Sequence, residues 1–176
     1  MNHPRPFLRR AWESLDGPWS FALSDADDPG GVRFDRTITV PFAPETPASG
    51  IGEPWIPRCW YRRQSASSSD GGPVRLHFGA VDRIARVWAD GELVAEHQGG
   101  YSPFSCAVRD DAEIVVCVDD DPTDLEAPRG KQDWQREPHS IWYPRTSGIW
   151  RTVWWERVGS RSIVDVRWRS DAAAAA

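Results

Sequence analysis

The chain has 176 residues, 40% hydrophobic and 27% charged, a size and balance that suit one β-domain with a real core and leave no room for a second large domain. A net charge of −5, with 21 basic residues scattered among 26 acidic ones, provides no phosphate-neutralising face and argues against nucleic acid. No apolar run is long enough to span a bilayer and the start, MNHPRPFLRR, does not resemble a secretory leader, so no membrane partner and a cytoplasmic location are expected.

In chain order, Phe7 to Ser14 is the only stretch with the makings of a helical turn. Short β-prone runs follow at Trp19 to Leu23, Arg36 to Val40, Trp60 to Gln64, Val74 to Phe78, Ile84 to Ala89 and Leu93 to His97. Gly, Pro, Asp and Ser clusters separate them. Further runs lie at Phe104 to Val108, Glu113 to Asp119, Ile149 to Glu156 and Ile163 to Arg169. Val74, Leu76 and Phe78 alternate with Arg75 and His77, which marks a half-buried strand. Ile114 to Val118 is apolar on both faces, as a centrally placed strand would be. Asp90-Gly91 between two such runs is the signature of a two-residue type I′ hairpin.

About ten short strands with long connections predict an all-β fold, an antiparallel two-sheet sandwich with jelly-roll topology, with an up-and-down barrel as the alternative. Residues 1–158 are expected to form this domain. Residues 159–171 would be a last strand or the start of a connection, and 172–176 a poly-Ala tail. Cys59, Cys106 and Cys117 are an odd count without metal-ligand spacing and are expected as buried free thiols. No metal and no cofactor are expected. Asp119-Asp120-Asp121 has the oxygen ligands that calcium takes, but an acidic turn at a strand end is the simpler account. His77 reads as a structural histidine, and His3, His97 and His139 form no metal pattern.

The richest functional stretch is Pro128 to Val158, a basic, Trp-laden loop running into a strand. Long loops carrying Arg, Gln and Trp suit the stacking and hydroxyl contacts of a sugar site. Arg129, Lys131, Gln132 and Arg145 are the polar candidates there. Trp134 and Trp142 are the stacking candidates, although core or inter-domain packing is the more common state of any one loop tryptophan. A second Pro/Gly-rich loop, Pro41 to Arg58, contributes Glu53, Trp55 and Arg58. Trp12 is a further loop tryptophan, whereas Trp88, Trp154 and Trp168 fall in strand patterns that suit a core.

Several segments together resemble the amino-terminal domain of family 2 glycoside hydrolases, the group of β-galactosidases, β-glucuronidases and β-mannosidases. They are Leu15-Asp16-Gly17-Pro18-Trp19-Ser20-Phe21, Val40-Pro41-Phe42, Trp60-Tyr61-Arg62-Arg63 and Leu76 to Asp82 through Trp88-Ala89-Asp90-Gly91. Gly99-Gly100-Tyr101-Ser102-Pro103-Phe104 and Ser147-Gly148-Ile149-Trp150-Arg151 complete the set. The resemblance implies a jelly-roll sugar-binding domain whose partners would be a β-glycoside and the immunoglobulin-like and barrel domains of a longer parent chain. It implies a retaining mechanism needing two carboxylates about 5 Å apart. The family's acid/base Glu follows an Asn, and the only asparagine here, Asn2, precedes His3, so no catalytic residue is expected in this segment. Galactosidase and glucuronidase members carry an Asp six residues before the Gly of Ser-Gly-Ile; in this chain that position is Trp142. The expected function is therefore a non-catalytic sugar-binding domain of an O-glycosyl hydrolase. A free-standing carbohydrate-binding module and an oligomer-interface domain are the other readings.

Overall fold

The computed structural model describes residues 12–65 and 73–157 together with Ile163, Arg167 and Arg169. Twelve strands are described: β1 (Trp12–Ser14), β2 (Gly17–Ala22), β3 (Arg36–Val40), β4 (Arg58–Gln64), β5 (Pro73–Phe78), β6 (Val81–Asp82), β7 (Ile84–Ala89), β8 (Glu92–Gln98), β9 (Phe104–Arg109), β10 (Glu113–Asp119), β11 (Gly148–Ile149) and β12 (Val153–Arg157). They form a six-stranded sheet in the order β3-β2-β4-β10-β7-β8, a four-stranded sheet β1-β12-β5-β9 and a two-stranded ribbon β11-β6, and these named pairings are antiparallel. The expected antiparallel sandwich is what the chain adopts.

Alternation of side chains builds the core between the sheets. Trp19 and Phe21 of β2, Tyr61 of β4, Val87 of β7 and Ile114, Val116 and Val118 of β10 meet Val74, Leu76 and Phe78 of β5, Val108 of β9 and Trp155 of β12. Because β10 lies between β4 and β7, its outward residues are covered as well. Val115 and Cys117 join Trp60, Trp88 and Ala22 beneath Ala26, Val32 and Phe34 of the loop that follows β2. That second layer explains why Ile114 to Val118 has no polar alternate.

The hairpin at Asp90-Gly91 is as expected, with φ of 50° and 82°. Cys59, Cys106 and Cys117 are buried free thiols. Burial pushes the Cys106 and Cys117 thiols up to about 11. His77 is buried, with Nε2 3.0 Å from Glu156 Oε1 and its ring stacked on Trp154. Two expectations need correction. Trp12–Ser14 is a strand paired with β12 and not part of a helical turn, since the edge of the small sheet offers its backbone groups partners. The run Ile149 to Glu156 is two strands, because Trp150, Arg151 and Thr152 leave the ladder as the chain passes from the ribbon to the sheet. Most of the expected run Ile163 to Arg169, the proposed tail and most of the Ser65 to Gly72 loop lie outside the described residues. Among the described residues no helix is long and apolar enough to cross a membrane.

Candidate functional site: the loop between β10 and β11

After β10 the chain runs from Asp120 to Ser147 without a named strand, yet its path is fixed by polar clamps. The backbone N–H of Asp133 donates to Tyr143 O (2.9 Å) and that of Tyr143 to Lys131 O (2.9 Å), folding the loop back on itself. Gln132 works in both directions: its Oε1 accepts the Thr146 N–H at 2.9 Å and its Nε2 donates to Asp82 Oδ2 at 3.3 Å. Arg145, 7% exposed, donates to Asp120 Oδ2 at 2.6 Å. Arg129 turns back to the Asp124 carbonyl at 2.7 Å. At the exit, Ser147 donates its N–H and hydroxyl to Glu45 (3.1 and 2.6 Å), tying in the loop after β3.

These clamps enclose carboxyl groups. Burial raises Asp82 to about 6, with the nearby Asp120 charge adding to it and the Gln132 hydrogen bond opposing it. Burial also raises Asp120 and Glu45, against the hydrogen bonds each receives from Arg145 and Ser147. Gly100 is required here, because a Cβ at that position would overlap the Asp82 carboxylate. Asp82, Asp120 and Glu45 are thus internal anchors. The acidic triplet divides its labour in the same way: Asp119 bonds Arg58 and Arg86, Asp120 bonds Arg145, and Asp121 accepts the N–H and hydroxyl of Thr123.

With Gln132, Asp133 and Arg145 held by internal hydrogen bonds, the loop leaves ring surface exposed. Trp134 is 42% exposed, and Ile141 and Tyr143 more so. Trp134 lies edge-on to Trp142 (centroids 5.1 Å apart) and to His139 (5.2 Å). Lys131 is exposed. Next to this loop a cleft of about 360 Å³ is lined by Arg83, Gln98, Gly99, Gly100, Tyr101, Ser102 and Pro128. Glu53, Trp55 and Arg58 share a smaller cleft of about 200 Å³ with Leu23 to Asp25. There Glu53 pairs with Arg36, Arg58 pairs with Asp119 and reaches the Asp25 carbonyl at 3.1 Å, and Trp55 adopts φ of 68°. The candidates therefore fall into two groups. Among the described residues no hydrogen bond or ring contact joins Glu53, Trp55 and Arg58 to Trp134 and Trp142.

No family model matches the sequence. A β-galactosidase of Thermoanaerobacter pseudethanolicus is 32% identical over 161 residues, covering 84% of this chain and 21% of that protein. A β-glucuronidase of Streptococcus agalactiae is 29% identical over 111 residues, 61% of this chain and 18% of that protein. Two solved structures share the fold across most of the chain. The Faecalibacterium prausnitzii β-glucuronidase matches with a TM-score of 0.60 and 24% identity over 86% of this chain and 32% of its own. The family 2 β-galacturonidase of Eisenbergiella tayi matches with a TM-score of 0.60 and 22% identity over 84% of this chain and 24% of its own. This chain belongs to the family 2 glycoside hydrolases. It spans about a fifth of the length of the curated relatives it matches.

Within that family frame, the position six residues before Gly148 is held by Trp142, half-buried against Trp134. Sequence reasoning named Trp134, which is exposed, and Trp142, which is half-buried, but missed Asp82, Glu45, Asp133 and His139. Only Asp133 left a local signal: an Asp two residues before a backbone N–H it can cap, in Asp133-Trp134-Gln135. Asp82 and Glu45 act across 50 and 102 residues of chain, and His139 through a loop closure that no short pattern encodes.

Proposed function

We propose that the chain is a non-catalytic, sugar-binding domain of a retaining β-glycosidase, cytoplasmic, with jelly-roll connectivity over residues 1–158. It lends loop residues to a saccharide site completed by a barrel elsewhere in the parent protein. The observation that carries this reading is the loop between β10 and β11, where buried clamps fix the backbone and leave Trp134 and Tyr143 exposed, with Trp142 half-buried beside Trp134. A fold that only needed to close its sheets would gain by burying those rings, each of which offers a large apolar area. Kinship with a β-galactosidase and a β-glucuronidase supports a β-glycoside as the partner. Residues 159–171 would then lead towards the next domain.

Assays with a panel of nitrophenyl β-glycosides test the reading. The isolated chain should release no nitrophenol, whereas a longer product of the same gene should, with Trp142→Ala raising KM more than it lowers kcat. Hydrolysis by the isolated chain that survives purification and mutation controls would overturn the non-catalytic role. Failure of the longer product to act on any β-glycoside would overturn the glycosidase.

A further inference from the structure

Asp133 is fully buried, yet its carboxyl sits below the ordinary carboxylate range. Burial pushes the other way, and hydrogen bonds from the His139 and Gln135 backbones and the His139 ring outweigh it. Oδ1 accepts the Gln135 N–H at 3.0 Å, and Oδ2 accepts both the His139 N–H and the His139 ring nitrogen Nδ1 at 2.7 Å. A carboxylate can only accept, so Nδ1 must carry the proton and donate it. Neutral His139 is then fixed as the tautomer whose Nε2 has a lone pair. That side chain is 40% exposed, and among the described residues Nε2 has no hydrogen-bond partner.

The Trp134 ring packs against both neighbours, at an interplanar angle of 86° to the His139 ring and 67° to Trp142. Ring centroids about 5 Å apart at such angles are in edge contact, so no volume opens between them. An aromatic cage for an ammonium ion needs that volume, with the cation within about 6 Å of several ring centres. A packed group with one ring partly exposed is a platform instead. The indole N–H groups of Trp134 and Trp142 also have no hydrogen-bond partner among the described residues, so the platform carries donors as well as an acceptor.

We propose that Asp133, Trp134, His139 and Trp142 form a pyranose-binding subsite contained within this one loop. The exposed Trp134 face takes the C–H face of the sugar, and His139 Nε2 accepts one of its hydroxyls. Asp133 is the positioning residue: it touches no sugar, but it sets the tautomer and the ring plane that make His139 selective for a donor. This rests on the saccharide-binding reading above and sharpens it, because within the site that a barrel would complete it assigns one subsite whose contacts all come from this loop.

The test is a titration of the whole chain with methyl β-D-glucopyranoside and, in parallel, methyl β-D-glucuronide, up to tens of millimolar. It follows the tryptophan indole and histidine imidazole NMR signals. The subsite predicts that the Trp134 and His139 signals move together with a single dissociation constant, for either sugar or both. Trp134→Ala should weaken binding by more than about tenfold. His139→Asn retains a side-chain amide to donate to Asp133 but removes the outward nitrogen, and should weaken binding about threefold to tenfold. Unchanged sheet amides in both variants show that the fold is intact; if His139→Asn disturbs the loop, the wild-type imidazole shifts alone decide. Absence of any sugar-induced shift overturns the subsite, as do shifts confined to other tryptophans or wild-type affinity in His139→Asn. None of these results bears on whether a longer gene product cleaves β-glycosides, so the two readings fail separately.

Discussion

Two long connections of this sandwich are held by opposite means. The loop between β2 and β3 lies on the outer face of the six-stranded sheet and is held largely by apolar contact: Ala26, Val32 and Phe34 cover Trp60, Trp88, Val115 and Cys117. The Trp60 indole N–H donates to Ser24 O at 3.1 Å, and Arg62 lies over the Phe34 ring. The loop between β10 and β11 is held by Gln132, Asp133 and Arg145, with its largest rings partly in water. Hydrophobic burial is non-directional and consumes the rings that supply it, whereas a hydrogen-bonded clamp fixes a backbone and leaves aromatic faces available. The first loop is thereby committed to the core, and the second keeps ring surface exposed.

The contrast predicts a ranking of stability losses. Trp60→Ala removes the floor beneath the first loop and should cost about 3–5 kcal/mol in urea unfolding, enough to threaten the fold. Arg145→Ala leaves Asp120 buried without its cation. It should cost about 3 kcal/mol near neutral pH, and less in acid, where Asp120 takes up a proton. A loss that is the same at both pH values would mean that Asp120 finds another partner. Gln132→Ala strands the Asp82 carboxylate and the Thr146 N–H and should cost about 1–2 kcal/mol, with faster amide exchange in the second loop and not in the first.

Asp82 sharpens the comparison through pH. Its carboxyl is raised from an ordinary 3.8 to about 6, chiefly by burial, so the folded state binds its proton more tightly than the unfolded chain does. Its contribution is complete below the ordinary value and is lost as pH rises through about 6. Asp82→Asn should therefore flatten the fall in Tm across that window relative to the wild type and raise Tm above it. Parallel Tm profiles for the two proteins would show that Asp82 is not desolvated. The smallest effect on stability belongs to Trp134→Ala, within about 0.5 kcal/mol for a substitution at an exposed ring. A loss as large as that of Trp60→Ala would make Trp134 a core residue.

Much of the architecture was legible because it follows from period and turn chemistry. Val74 to Phe78, Glu113 to Asp119 and the Asp90-Gly91 hairpin each carry their own local signal, and all three appear where expected. Edge pairing was not legible: Trp12–Ser14 becomes a strand only because β12 lies beside it. In the second loop the sequence marked out a segment by its Arg, Gln and Trp residues, while the division of labour within it depended on distant partners. Gln132 and Arg145 look like free donors until Asp82 and Asp120, 50 and 25 positions away, are brought beneath them. His139 gains its orientation only when the loop closes onto Asp133.

Amide hydrogen exchange of the chain with and without methyl β-D-glucopyranoside tests most directly whether the clamped loop meets the saccharide. Protection should rise at Asp133, Gln135, His139 and Tyr143, while Ala26 to Phe34 and the sheet strands remain as they were. Added protection over the first loop or along the sheets, with none at those four amides, would contradict the account.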